Sequence, residues 1–365
     1  MHVPFCARRC SYCDFAIAVR RVVPVAEYVD ALQCELRLRR PDIADEGLRT
    51  VYLGGGTPSQ LPADAVTRVI AMLRQSLGIA EGAEITIEAN PDDVTAAAAD
   101  AWLAAGIGRV SLGVQSFDDS VLSWMHRVHD GQQAKEAARL LVRSGFENWS
   151  LDLIFGLPSQ LRRDWRADLE IALELGPPHL SVYGLTVEPR TPLHRWHTRG
   201  AAAAADEERY ASEFLLAHEL LESAGYRHYE VSNYARPGFQ SRHNLAYWAR
   251  RPYLGLGPSA HSFDGRTRRW NVRHYEAWRR ALAERRDPVE GEEFLSLAQV
   301  QLEEVYLGLR SGSGVLIPSR NRRLAEDYEK RGWLRREGDR WAATVEGWLV
   351  LDQLVVSLTD AGSAY

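Results

Sequence analysis

His2-Val-Pro-Phe-Cys6-Ala-Arg-Arg-Cys10-Ser-Tyr-Cys13-Asp-Phe15 opens the chain with three cysteines in the spacing CxxxCxxC. His2–Val3 reads as a short strand and the cysteines as the loop that leaves it. Three thiolates are one short of closing either a structural zinc site or an ordinary four-thiolate iron–sulfur cluster. Spacing alone leaves two readings standing: a zinc site completed by an imidazole such as His2, or a cluster that keeps one iron open. A disulfide framework would spread its cysteines along a short secreted chain, so this clustering points to metal or redox chemistry. The remaining cysteine, Cys34, lies in an amphipathic segment and reads as a small buried hydrophobe.

Downstream of the loop, short apolar β-type runs alternate with helical patterns to about residue 190, the signature of repeated βα units and a parallel sheet. Strands are expected at His2–Val3, Thr50–Leu53, Glu84–Glu88, Arg109–Val114, Ser150–Ile154 and Leu180–Tyr183. Helical spacing covers Val25–Arg39, Ala63–Leu77, Thr95–Ala105, Gln132–Ser144 and Asp164–Leu175, with Gly106, Gly145 and Gly176 as stops. Six such units are too few to close an eight-stranded barrel. The expected fold class is therefore α/β: a partial, three-quarter (β/α)6 TIM-like barrel with its ligands at the strand C-terminal ends. A C-terminal α+β extension and a small winged-helix-like module are expected to follow it.

Polar groups collect at those strand ends. Gly54-Gly55-Gly56-Thr57-Pro58 follows the second strand. A tight turn is its plain reading; backbone left bare for a close-lying ligand is its functional one. Glu88-Ala-Asn90-Pro91 and Gly113-Val-Gln115-Ser-Phe117 end the next two strands, offering a carboxylate and an amide to a ribose or an ammonium group. Asp152 lies in the apolar run Leu151–Phe155, where an ionised carboxylate needs a partner; Arg127 or a bound ligand are the candidates.

His2-Val-Pro-Phe-Cys6 with Ser11-Tyr12-Cys13-Asp-Phe15 resembles the radical S-adenosylmethionine (SAM) signature of the coproporphyrinogen dehydrogenase family, and the resemblance extends over nearly the whole chain. It implies a [4Fe–4S] cluster on Cys6, Cys10 and Cys13, with SAM on the open iron through its amino and carboxylate groups. It also implies that Tyr12 packs on the adenine and that the turn of Gly55, Gly56 and Thr57 receives the SAM amino group. Glu88, Gln115, Arg127 and Asp152 match the family's remaining SAM contacts. If SAM is cleaved, an electron enters from a donor such as flavodoxin or ferredoxin, giving methionine and a 5'-deoxyadenosyl radical. Whether such turnover occurs, and hence whether the protein is an enzyme, stays open.

Two departures separate branches of the family. The coproporphyrinogen-oxidising members carry a further cysteine two positions after the third cluster cysteine and a long arm before the cluster; here Phe15 holds that position and five residues precede Cys6. Both features point to the heme-chaperone branch, as does His243-Asn244-Leu-Ala-Tyr247-Trp248, an HNxxYW motif that the resemblance associates with heme binding. His243 would then ligate heme iron, with Tyr247 and Trp248 beside the macrocycle; the alternative is that His243 orders its loop. The implied partners are a heme-receiving hemoprotein, an electron donor and, as an option, a second copy of the chain. The rival functions are oxidative decarboxylation of coproporphyrinogen III to protoporphyrinogen IX and a non-catalytic zinc-binding module. The family's usual Tyr six residues before the first cluster cysteine has no counterpart, so translation is expected to begin further upstream.

Composition excludes some classes of function. The formal net charge is -5, lysine occurs only at Lys135 and Lys330, and no basic cluster stands out, so no nucleic-acid partner is expected. No apolar run reaches the roughly eighteen residues of a spanning helix. Met1 to Cys6 lacks a secretory signal, which makes a cytoplasmic setting the default. The pattern changes near residue 200, giving three expected domains: 1–195, 196–290 and 291–365. The last reads as a helix, a Gly/Ser loop at Ser311–Gly314, a second helix and a hairpin over Trp333–Ala343, with docking favoured over DNA binding.

Overall fold

The computed structural model describes residues 1–39 and 47–359. The chain opens with β1 (His2–Val3), β2 (Phe5–Cys6), β3 (Ala18–Val19) and α1 (Val25–Arg39). Alternation follows through β4 (Leu48–Gly55), α2 (Ala63–Leu77), β5 (Ile79–Ala89), α3 (Ala96–Ala105), β6 (Arg109–Gln115) and α4 (Asp119–Trp124). It continues with α5 (Gly131–Arg143), β7 (Asn148–Phe155), α6 (Trp165–Leu175) and β8 (His179–Gly184). Helices α7 (Pro192–Thr198) and α8 (Glu207–Ser223) then lead to β9 (Arg227–Glu230) and β10 (Asn233–Ala235). Among the described residues the main sheet runs β1-β4-β5-β6-β7-β8-β10-β9. Its first six strands are parallel, as the βα pattern predicts, and β10 and β9 extend it antiparallel.

Local chemistry sets the helix ends. Thr95 accepts from the Ala98 N–H, Asp164 accepts from the Ala167 N–H, and Asp130 with Gln133 forms a reciprocal capping box. Gly106 and Gly176 stop α3 and α6 at φ of 94° and 67°, a left-handed conformation that costs glycine little. The expected strand at Glu84–Glu88 is the inner part of a longer β5. Leu48 pairs with Ile79 before the register shifts to Thr50 and Glu84, and the polar, glycine-bearing Glu81-Gly82 hides this outer part from a hydrophobic pattern.

Alternation along the strands divides the sheet into two unlike faces. Val51, Leu53, Ile85, Ile87, Val110, Leu112, Leu151, Leu153, Leu180 and Val182 are buried in one core with the helices. The alternate positions form polar rows across the other face. Glu88, Ser111, Ser150 and His179 stand in register across four strands, as do Gly113, Asp152, Ser181 and Asn233. One face anchors the helices, and the other is left for a polar ligand or for polar plugs.

The remaining chain supplies one such plug. It comprises α9 (Arg242–Trp248), β11 (His261–Phe263), β12 (Thr267–Asn271), α10 (Tyr275–Ala283), β13 (Val289–Phe294), α11 (Leu297–Arg310) and α12 (Arg322–Lys330). The hairpin β14 (Leu334–Glu337) and β15 (Arg340–Ala343) precedes α13 (Val345–Leu349) and α14 (Leu351–Thr359). Strands β11, β12 and β13 form a separate antiparallel sheet. Glu35 of α1, fully buried, accepts from Gly257 N–H (2.7 Å), Trp278 Nε1 (3.1 Å) and Asn271 Nδ2. That carboxylate clasps the 254–260 loop, whose Leu256 carbonyl receives the His2 N–H at 2.8 Å.

Candidate functional site

The cysteine loop is pinned at both ends. Beyond the expected strand β1, the β2 and β3 segments pair in parallel, Ala18 N–H donates to Pro4 O (2.7 Å) and Arg20 N–H to Cys6 O (3.0 Å). Two-residue strands carry no periodicity, which is why the sequence pattern misses this clasp. All four cysteines are free thiols; Cys6 is buried, and Cys10 and Cys13 are half-buried. Burial pushes both Cys6 and Cys13 up to about 11, with repulsion among the three sulfurs adding to it. Thr57 Oγ1 donates to Cys6 Sγ at 3.3 Å and Arg127 Nη1 to Cys10 Sγ at 3.6 Å.

Three thiols that feel one another's charge, with donors aimed at two of them, fit a polynuclear cluster on one loop. His2, the imidazole considered for completing a zinc site, has its Nε2 2.9 Å from the Ala16 carbonyl, and burial lowers its pKa to about 4.

The glycine turn meets this loop edge to edge. A Cβ on Gly55, which has φ of 117°, would lie 2.7 Å from the His2 ring, and one on Gly56 would lie 2.7 Å from the Phe5 carbonyl. Close approach by β1 and β2 therefore requires these glycines before any ligand is considered. Their N–H groups are also engaged: Gly55 donates to Glu88 Oε2 (3.0 Å) and Gly56 to Val3 O (2.8 Å). Glu88 further accepts from the Tyr52 hydroxyl at 2.8 Å, and burial raises its pKa.

Arg127 reaches across the strand ends. Its Nη2 donates to Asn90 Oδ1 (2.7 Å) and Gly113 O (2.6 Å). Its buried Nε has no protein partner. Gln115 ends β6 at φ of 72°, a left-handed conformation strained for a non-glycine residue, and its Nε2 lies over Gly113. Tyr12 packs at the small apolar cluster of Val121, Met125, Ile154 and Leu157.

Of the two partners considered for Asp152, Arg127 is not the one the structure provides. Ser111 Oγ lies 3.2 and 3.1 Å from the two Asp152 oxygens. Burial pushes Asp152 up to about 7, with repulsion from Glu88 adding and the Ser181 and Ser111 hydroxyls opposing. Arg127 joins Asn90 of the strand-end motif, and Glu88 and Asp152 are joined by Tyr52, Ser111 and Ser181, which the sequence reading passed over. Their signal was the period-two polar alternation inside strands read as apolar runs.

His243 is placed elsewhere, at the level of Thr50 and Tyr52 rather than at the strand ends. Ser241 and Glu84 fix the start of α9: Ser241 Oγ accepts from Asn244 N–H, while Glu84 takes the Arg242 and His243 N–H groups at 3.0 and 2.9 Å. The imidazole meets Thr50 Oγ1 through Nδ1 (2.8 Å) and the Tyr247 hydroxyl through Nε2 (3.1 Å). Its ring stacks on Tyr52 with centroids 4.9 Å apart. Burial lowers its pKa to about 4, leaving a neutral ring suited to a metal. Trp248 instead packs under the Arg310 guanidinium, whose Nε lies 3.5 Å from the buried Glu230, tying the motif to α11.

The radical SAM superfamily model matches residues 1–172. The heme chaperone HemW of Synechocystis is 41% identical over 324 residues, covering 86% of this chain and 78% of that protein. HemW of Mycobacterium tuberculosis is 38% identical over 364 residues, covering 98% and 93%. This chain belongs to the HemW family. Among solved structures, coproporphyrinogen III oxidase (HemN) from Escherichia coli, described as a radical SAM enzyme, matches with a TM-score of 0.83. At 22% identity over 98% of this chain and 88% of that one, the match establishes a shared radical SAM fold. HemW relatives thus carry the family assignment and HemN the architecture.

Proposed function

We propose that this HemW-family protein is a heme chaperone that binds heme at the face bearing His243 and passes it to a hemoprotein. The reading also has it carry a [4Fe–4S] cluster on Cys6, Cys10 and Cys13, with SAM bound beside it. Such a cluster would supply redox chemistry at its open iron. Around it, Thr57 and Arg127 hold the sulfurs, Tyr12 offers an apolar ring, and Gly55, Gly56, Glu88, Gln115 and Asp152 offer polar backbone and side-chain groups to SAM. The observation that carries the heme reading is the HNxxYW helix itself, docked so that a neutral imidazole lies half-buried between Tyr52 and Tyr247.

Phe15 supports this reading over coproporphyrinogen decarboxylation. It is 56% exposed on the cluster loop, where the decarboxylating branch has its further cysteine. Val19, Arg8, Arg9 and Arg21 of the same N-terminal segment are exposed as well, against the one acidic Asp14, a partly apolar and net basic set suited to an acidic electron carrier such as flavodoxin or ferredoxin. No helix among the described residues is long and apolar enough to cross a membrane.

The test is transfer. Cluster-reconstituted, heme-loaded protein is mixed anaerobically with an apo-hemoprotein, and the Soret band is followed. Transfer faster than from free hemin is expected. Failure to load hemin, or transfer no faster than from free hemin, would count against the proposal.

A further inference from the structure

Tyr52 touches a residue of each proposed ligand site. Its hydroxyl donates to Glu88 Oε1 at 2.8 Å, and its ring lies flat on the His243 imidazole with planes within 16°. Space for this bridge is built into the strand: a Cβ on Gly54 would lie 2.7 Å from the Tyr52 ring and 3.0 Å from Glu88 Oε1. The same two strands hold both ends. Thr50 and Tyr52 of β4 anchor the His243 ring, while Glu84 of β5 fixes its backbone and Glu88 of β5 receives Tyr52.

The chain of contact has a physical consequence. A SAM donor on Glu88 would fix the carboxylate, hence the Tyr52 hydroxyl, hence the ring plane on which His243 rests. His243 already uses both ring nitrogens, so taking up iron requires it to release one of them from Thr50 or Tyr247. A ring already held in place loses less freedom in that exchange, and a ligand that orders one site lowers the ordering cost at the other.

We infer that Tyr52 is a positioning residue that couples the two sites, so that SAM and heme each tighten the other's binding. This rests on the function proposed above. Coupling of equilibrium affinities is reciprocal, so both directions report one factor.

The test uses the full, cluster-reconstituted chain under anaerobic conditions. Hemin is titrated by the Soret band with and without saturating SAM, and SAM by equilibrium dialysis with and without hemin. Each ligand is expected to tighten the other by the same factor, at least about five-fold. Tyr52→Phe keeps the ring and removes the hydroxyl; it should bring the factor to about one, whatever it does to either separate affinity. Thr50→Val, which removes a His243 contact without touching Glu88, should change hemin affinity and leave the factor intact. A factor of one in the unsubstituted protein, or an unchanged factor in Tyr52→Phe, overturns the inference. If either ligand alone fails to bind, the functional reading falls first and takes the inference with it.

Discussion

At the scale of single residues, the account turns on side chains whose protonation is set by burial. Asp152, pushed up to about 7, is mostly protonated below that pH and ionised above it. An ionised carboxylate accepts hydrogen bonds from ligand hydroxyls or an ammonium group; a protonated one accepts fewer. SAM affinity measured by dialysis should therefore weaken as pH falls below about 7, by at most about ten-fold per unit, and Asp152→Asn should flatten that profile. A slope that survives in the variant would assign the titration to another group. The partners of Asp152 were only half legible in the sequence. The need for a partner followed from its apolar neighbours, but Ser111 and Ser181 come from adjacent strands whose register no local pattern reveals. Tyr52 with Glu88 and Thr50 with His243 are likewise 36 and 193 residues apart in sequence and meet only in the fold.

At the scale of elements, the glycine turn after β4 is where strand geometry and the cysteine loop constrain each other. Gly56→Ala would set a Cβ against the backbone of Pro4 and Phe5, which have no flexible end to yield. A cost of about 1–3 kcal/mol in denaturant unfolding is expected, together with reduced iron and sulfide retention. Gly108→Ala, where a Cβ would meet nothing within 4 Å, is the control and should leave both unchanged. The long parallel strands and their helices were readable because apolar runs, caps and stop glycines agree along that stretch. Strands β2, β3 and β10, two or three residues long, carry no periodicity of their own and were not; β1, equally short, was read from its place before the cysteine loop. Strand β9, four residues long, was missed as well. The polar rows on the sheet's ligand-facing side were present as period-two alternation but masked by the apolar residues between them.

At the scale of the molecule, the later chain is fastened to the barrel by buried polar contacts. Glu35 is the clearest: burial pushes it up to about 7 from an ordinary 4.5, so the folded state holds a proton on it between those values that the unfolded state has released. Its contribution to stability is full below about 4.5 and is lost as pH rises through about 7, amounting to about 3 kcal/mol. Glu35→Gln, uncharged throughout, should show a shallower fall in unfolding free energy from pH 5 to 8 than the parent. An identical slope would mean that Glu35 does not titrate in this range. The central claim is that the HNxxYW helix, seated on the barrel, makes a heme site, and an anaerobic hemin titration of cluster-reconstituted protein beside His243→Ala tests it most directly. Saturable, near-stoichiometric binding with a Soret band that the substitution weakens is the predicted result; no binding, or binding unchanged in His243→Ala, would contradict it.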